Sequence, residues 1–131
     1  MPLRVGIDLV AVDSVQESLS LHAERYLERI FTPQEVADSS PAGDLDPERL
    51  AARFAAKEAT VKVLRPGRND GVLLKAIEVR RHHDGWVGLE LTGSAAALAE
   101  RVGVTGLALS LSHEAGMASA VVIAEVGDVC R

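Results

Sequence analysis

The sequence predicts an α+β fold, an antiparallel sheet packed on one long helix, in a single compact domain spanning residues 1–131. Three observations predict it. The chain opens on an apolar, β-branched run; a long helical pattern fills its middle; and two strand–turn–strand patterns follow on the C-terminal side. The length suits one core rather than two.

The first element is Leu3 to Val12, an almost unbroken apolar run that reads as a buried strand. Asp13 or Ser14 offers an N-cap for a helix to about His22, and the stretch Ala23 to Phe31 continues helically. Thr32-Pro33-Gln34-Glu35 is a helix start with a capping hydroxyl, Pro at the first position and Glu at the third. Ser39 to Asp46 reads as a loop. Asp46-Pro47-Glu48 then opens the longest helix, which ends near Arg65, before Pro66-Gly67. Leu74 to His82 and Trp86 to Leu91 alternate as strands about an Asp84-Gly85 turn. An Ala-rich helix, Thr92 to Val102, capped by Thr92 or Ser94, precedes a last hairpin of Leu107 to Ser112 and Met117 to Ala124.

Composition narrows the function. The chain is 47% apolar and 25% charged, as in ordinary globular proteins, but only 3% aromatic, so small aliphatic side chains fill the core and oligomerisation would help it. A net charge of −5 argues against a nucleic-acid partner. Cys130 is the lone cysteine, which excludes an intramolecular disulfide and a thiolate metal site. No apolar run approaches the roughly 18 residues of a membrane span, so a soluble, cytoplasmic protein is expected.

Two features carry chemistry. Asp8 lies among Val5, Ile7, Leu9 and Val10, where an unpartnered carboxylate is strongly disfavoured; it is either a structural acid paired locally or a ligand for a cation. On the long helix Glu58 and Lys62 share a narrow sector between the stripe Leu50, Phe54, Val61, Leu64 and the stripe Ala51, Ala52, Ala55, Ala59, Val63. Such an i,i+4 pair can be a plain surface ion pair, but apolar flanks on both sides favour a cleft. Two carboxylates from different elements suit Mg²⁺, and Lys62 with Arg53 and Lys57 would supply positive charge for phosphates. By spacing alone His113 reads as a structural or surface residue, Trp86 as a packing residue, and His82-His83 as exposed.

Gly6-Ile7-Asp8, the run Arg53-Phe54-Ala55-Ala56-Lys57-Glu58-Ala59-Thr60-Val61-Lys62 and Ser110-Leu111-Ser112-His113-Glu114 together resemble the signature of holo-acyl-carrier-protein synthases. Segments at Glu28 to Glu35 and Ser94 to Leu98 are similar too, so the resemblance covers nearly the whole chain. It implies the 4′-phosphopantetheinyl transferase fold and Mg²⁺-dependent transfer of phosphopantetheine from coenzyme A to a serine of an acyl carrier protein. It further implies Asp8 and Glu58 as metal ligands, Glu58 or an ordered water as base, and Lys62 at the pyrophosphate. Arg53, Lys57, Ser112 and His113 would bind coenzyme A, and the subunits would form a homotrimer with sites between neighbours, the strand Ala118 to Ala124 lying at the contact. A nucleotide pyrophosphatase and a catalytically silent binding subunit are the alternative readings. The chain departs from the pattern twice. Arg4 stands where a glycine is common, and Asp13 to Glu24 holds three acids and no Lys or Arg where a basic helix usually docks the acidic carrier.

Overall fold

A computed structural model describes residues 2–127; Cys130 lies outside the described residues. β1 (Leu3–Ala11), β5 (Met117–Val126) and β4 (Val104–Glu114) form one antiparallel sheet in the order β1-β5-β4, and β2 (Ile77–Arg81) pairs with β3 (Val87–Leu91) in a second. Among the described residues four α-helices accompany them: α1 (Val12–Ile30), α2 (Pro33–Asp38), α3 (Pro47–Leu64) and α4 (Gly93–Val102). A 3-10 turn, Leu74–Ala76, occupies the start of the segment expected to be strand. Among the described residues no helix is long and apolar enough to cross a membrane.

The core lies between α3 and the larger sheet. Ala51, Ala52, Ala55, Ala56 and Ala59 pack with Ala118, Ala120, Val122 and Ala124. Small side chains on both surfaces allow close approach, and Gly6 is the extreme case. A Cβ there would stand 2.2 Å from the Ala59 carbonyl oxygen, so only glycine lets β1 lie directly on the α3 backbone. Arg4 extends the same contact by donating from Nη1 to the Val63 carbonyl at 3.0 Å, one of the last-turn carbonyls that a helix leaves without an internal partner.

Several expectations need correction. β1 is not buried on both faces: Gly6 and Val10 face α3, while Leu3, Val5, Ile7 and Leu9 are exposed on the opposite face. Ala118 to Ala124 alternates likewise: Ala118, Ala120, Val122 and Ala124 fill the chain's own core, while Ser119, Val121 and Ile123 lie on the opposite, more accessible face. Neither Asp13 nor Ser14 caps α1. Its N-cap is Ala11, and the Val12 amide donates to the Gly116 carbonyl of the β4–β5 turn at 2.9 Å. The helix runs on to Ile30 through a kink at His22 (φ −147°, ψ 43°). The Thr32–Glu35 capping box is present as read, and Asp46 accepts from the Glu48 amide at the start of α3. Trp86 packs little: it is 76% exposed at the tip of the β2–β3 hairpin.

Candidate active site

The approach at Gly6 decides what happens two residues later. Asp8 leaves β1 on the face that meets α3, beside the turn carrying Glu58 and Lys62. Lys62 Nζ donates to the Ile7 carbonyl at 2.6 Å and lies 3.3 Å from Asp8 Oδ1. Burial against the sheet, reinforced by the Asp8 charge, pushes the Glu58 carboxyl above the usual carboxylate range, with Lys62 opposing. The cluster is half open, with the Asp8 side chain 20% and the Lys62 side chain 53% accessible. Two like charges held together with a single ammonium form an arrangement that a divalent cation would relieve. Among the described residues no group of three or more His, Cys, Asp or Glu converges on one point. The chain therefore offers two oxygen donors and no closed cage, which fits Mg²⁺, a cation that keeps waters and phosphate oxygens in its shell.

A second, cationic site opens at the other end of α3. A cavity of about 450 Å³ is lined by Asp46, Glu48, Arg49, Arg53, Arg81 and His113 with apolar neighbours that include Leu111. None of Asp8, Glu58 and Lys62 lines it. Asp46 lies 3.5 Å from Arg49 Nε, and His113 Nδ1 lies 3.0 Å from Glu48 Oε1. Arg53 is 4% exposed, donates from Nη1 to the Arg49 carbonyl and leaves Nε without a partner. Desolvation lowers its pKa, Asp38 and Glu35 oppose that, and Arg49 and Arg81 add to it. A buried guanidinium with an unused donor is a group that an anion would satisfy. Sequence reasoning found Arg53 and His113 but assigned nothing to Arg81, whose place here depends on the β2–β3 hairpin folding back over α3.

Lys57 is the clear correction. It is fully buried, and its ammonium spends all three donors inside the protein: on Glu35 Oε1 (2.7 Å) and on the carbonyls of Leu74 (3.0 Å) and Ile77 (2.5 Å). Glu35 is equally saturated, accepting also from the Thr32 and Val79 amides. Burial lowers the Lys57 pKa and Glu35 opposes the shift, so the pair is an internal tie among α2, α3 and β2, not a phosphate ligand. Ser112, paired with Ser119 in the ladder, alternates away from Leu111 and is not among the residues lining the cationic cavity.

Comparison with known proteins identifies relatives of this fold. Residues 4–119 match the model of the 4′-phosphopantetheinyl transferase superfamily. The holo-[acyl-carrier-protein] synthase of Solibacter usitatus is 40% identical over 95% of this chain and 99% of its own length, and that of Anaeromyxobacter sp. is 44% identical over 95% and 97%. Among solved structures, the ACPS–CoA complex of Chronobacterium ammoniagenes superposes with a TM-score of 0.85 at 34% identity, covering 98% of this chain and all of that one. The Helicobacter pylori holo-[acyl-carrier-protein] synthase in complex with coenzyme A gives 0.79 at 25%, covering 92% and 99%. With β1 laid on α3 at a glycine and the acidic pair set beside it, this chain belongs to the holo-acyl-carrier-protein synthase family of the 4′-phosphopantetheinyl transferase superfamily.

Proposed function

We propose that this protein transfers the 4′-phosphopantetheine group of coenzyme A to a serine of an acyl carrier protein, with Mg²⁺ held between Asp8 and Glu58. The convergence of Asp8, Glu58 and Lys62 at the Gly6 approach carries the reading. In the transfer a bond forms between the serine oxygen and the phosphorus bearing pantetheine. The bond from that phosphorus to the bridging oxygen breaks, and adenosine 3′,5′-bisphosphate leaves. Glu58, whose raised pKa makes it a better proton acceptor than an ordinary carboxylate, takes the serine proton. Lys62, within reach of Asp8, neutralises charge on the pyrophosphate. Bound Mg²⁺ would supply further neutralisation of the phosphates. Arg53, with its unused Nε, and His113 hold the phosphorylated nucleotide end of coenzyme A.

The working unit in this reading is a cytosolic homotrimer. Leu3, Val5, Ile7 and Leu9 expose an apolar strip, and Ile123 is exposed beside it on β5. A contiguous apolar sheet face of that kind is a surface for another chain. The acidic cluster and the cationic cavity share no lining residue, which supports a site completed by a neighbouring copy. The carrier protein docks along α1. The helix's first half is acidic, but Ser18, His22, Arg25, Tyr26 and Arg29 line a cavity of about 310 Å³ around the kink, and these arginines suit an acidic partner. Incubating an apo-carrier protein with coenzyme A, Mg²⁺ and this protein should add one phosphopantetheinyl group by mass spectrometry and release equimolar adenosine 3′,5′-bisphosphate. An unmodified carrier with hydrolysed coenzyme A would instead identify a pyrophosphatase, and neither product would identify a silent binder.

A further inference from the structure

We propose that Arg4 is a positioning residue that acts through Lys62: by holding the last turn of α3 against β1, it keeps the Lys62 ammonium seated beside Asp8. Its effect on turnover rests on the transferase reading; the contact itself does not. Arg4, Gly6 and Asp8 follow one another on the α3-facing side of β1. Arg4 Nη1 donates to the Val63 carbonyl at 3.0 Å. A Cβ on Gly6 would lie 3.1 Å from Lys62 Cβ, so strand and helix run in contact between the two ends. Lys62 Nζ then returns the grip, donating to the Ile7 carbonyl at 2.6 Å and standing 3.3 Å from Asp8 Oδ1. Since Lys62 and Val63 are covalent neighbours, the two contacts close a ring of backbone and side chains around the crossing.

The way α3 ends makes that grip matter. A helix leaves its last four carbonyls without internal partners, and the following residues normally supply donors. Here they supply one. The Arg65 amide donates to the Val61 carbonyl at 2.9 Å, from a left-handed conformation (φ 52°, ψ 59°) that is unfavourable for a residue with a Cβ. Pro66 has no N–H to give. The Gly67 amide is spent on Asp70 Oδ2 at 2.7 Å. The donor for the Val63 carbonyl comes instead from Arg4, as a cation placed where the helix dipole favours one. Without it the turn that carries Lys62 is held from behind by a single strained cap. Lys62 has a side chain 53% accessible and would move with that turn.

The chain has three lysines, which makes the test direct: Lys57 is fully buried, Lys75 is exposed, and Lys62 is the probe. Mild acetylation read by mass spectrometry gives the reactivity of Lys62 relative to Lys75. In Arg4→Met, which keeps an apolar stem without the donors, that ratio should rise about threefold, and Arg4→Lys should recover part of the difference. In transfer assays Arg4→Met should lower kcat about tenfold and leave the Michaelis constant for coenzyme A within about twofold. Added to Lys62→Met, the same change should lower the melting temperature as before but take nothing further from kcat. Unchanged labelling of Lys62 in Arg4→Met would overturn the proposal. So would a kcat loss that multiplies that of Lys62→Met, or a raised Michaelis constant with kcat intact. Labelling that responds as expected in a protein that modifies no carrier would overturn the transferase reading and leave the hold of Arg4 on Lys62 standing.

Discussion

Glu58 carries a charge that its surroundings disfavour until something shares it. Its carboxyl pKa is raised, so the native state holds that proton more tightly than the unfolded chain does. The stabilising side of the linkage is fully present below the unfolded value of about 4.3 and is lost as pH rises through the native one. Glu58→Gln removes the penalty. At neutral pH and without metal it should melt at or slightly above the wild type, the gap closing as pH falls toward 4, and it should transfer nothing. Mg²⁺ should raise the melting temperature of the wild type but not of the variant. Thermal melts with and without Mg²⁺ check all three, and a Glu58→Gln protein still stabilised by Mg²⁺ would remove Glu58 from the metal site. The placing of Glu58 beside Lys62 was legible in the sequence because i,i+4 spacing on a helix is local geometry. Lys57 was misread for the opposite reason. It stands next in line to Arg53 on the helix, but its partner Glu35 lies 22 positions away, and only the docking of α2 brings the two together.

At the scale of elements, the crossing of β1 over α3 sets the distance between the Asp8 and Glu58 carboxylates. Gly6→Ala forces a methyl group into the Ala59 carbonyl, and the strand must lift away. The cost should be about 1–3 kcal/mol of stability, as for overpacking elsewhere, with a loss of transfer larger than the loss of folded protein. Denaturant titration set beside kcat measures both, and full activity in a destabilised Gly6→Ala variant would show that the approach matters to packing alone. The sequence made the elements themselves readable through capping boxes, prolines and alternation: Thr32 to Glu35, Asp46-Pro47 and Asp84-Gly85 all mark the ends they were read to mark. It could not distinguish a strand buried on both faces from one with a single covered face, since apolar residues occupy both faces of β1. Nor could it supply the cap of α1, because the acceptor is the carbonyl of Gly116, more than a hundred residues downstream.

For the whole molecule, the exposed strip of β1 is the surface where the proposed homotrimer would join. Wild type should sediment as a trimer. Ile7→Lys, which sets a charge in the middle of that strip while leaving the α3-facing side untouched, should shift the protein toward monomer and lower transfer at least tenfold, with its helical content retained. A wild type that is active and strictly monomeric would contradict the assignment. The buried Lys57–Glu35 tie bears on a different matter, which is how such a chain can drift. Replacing either residue alone strands a charge in a dry interior, at a cost of about 3–5 kcal/mol, a large fraction of the stability of a domain this size. Replacing both with apolar side chains of matching volume can be neutral or better, although the Thr32 and Val79 amides and the two carbonyls would then need other partners. The two positions are therefore joined in heredity as they are in space: a lineage can leave this pair only by a coupled step, and until it takes one, each residue guards the other.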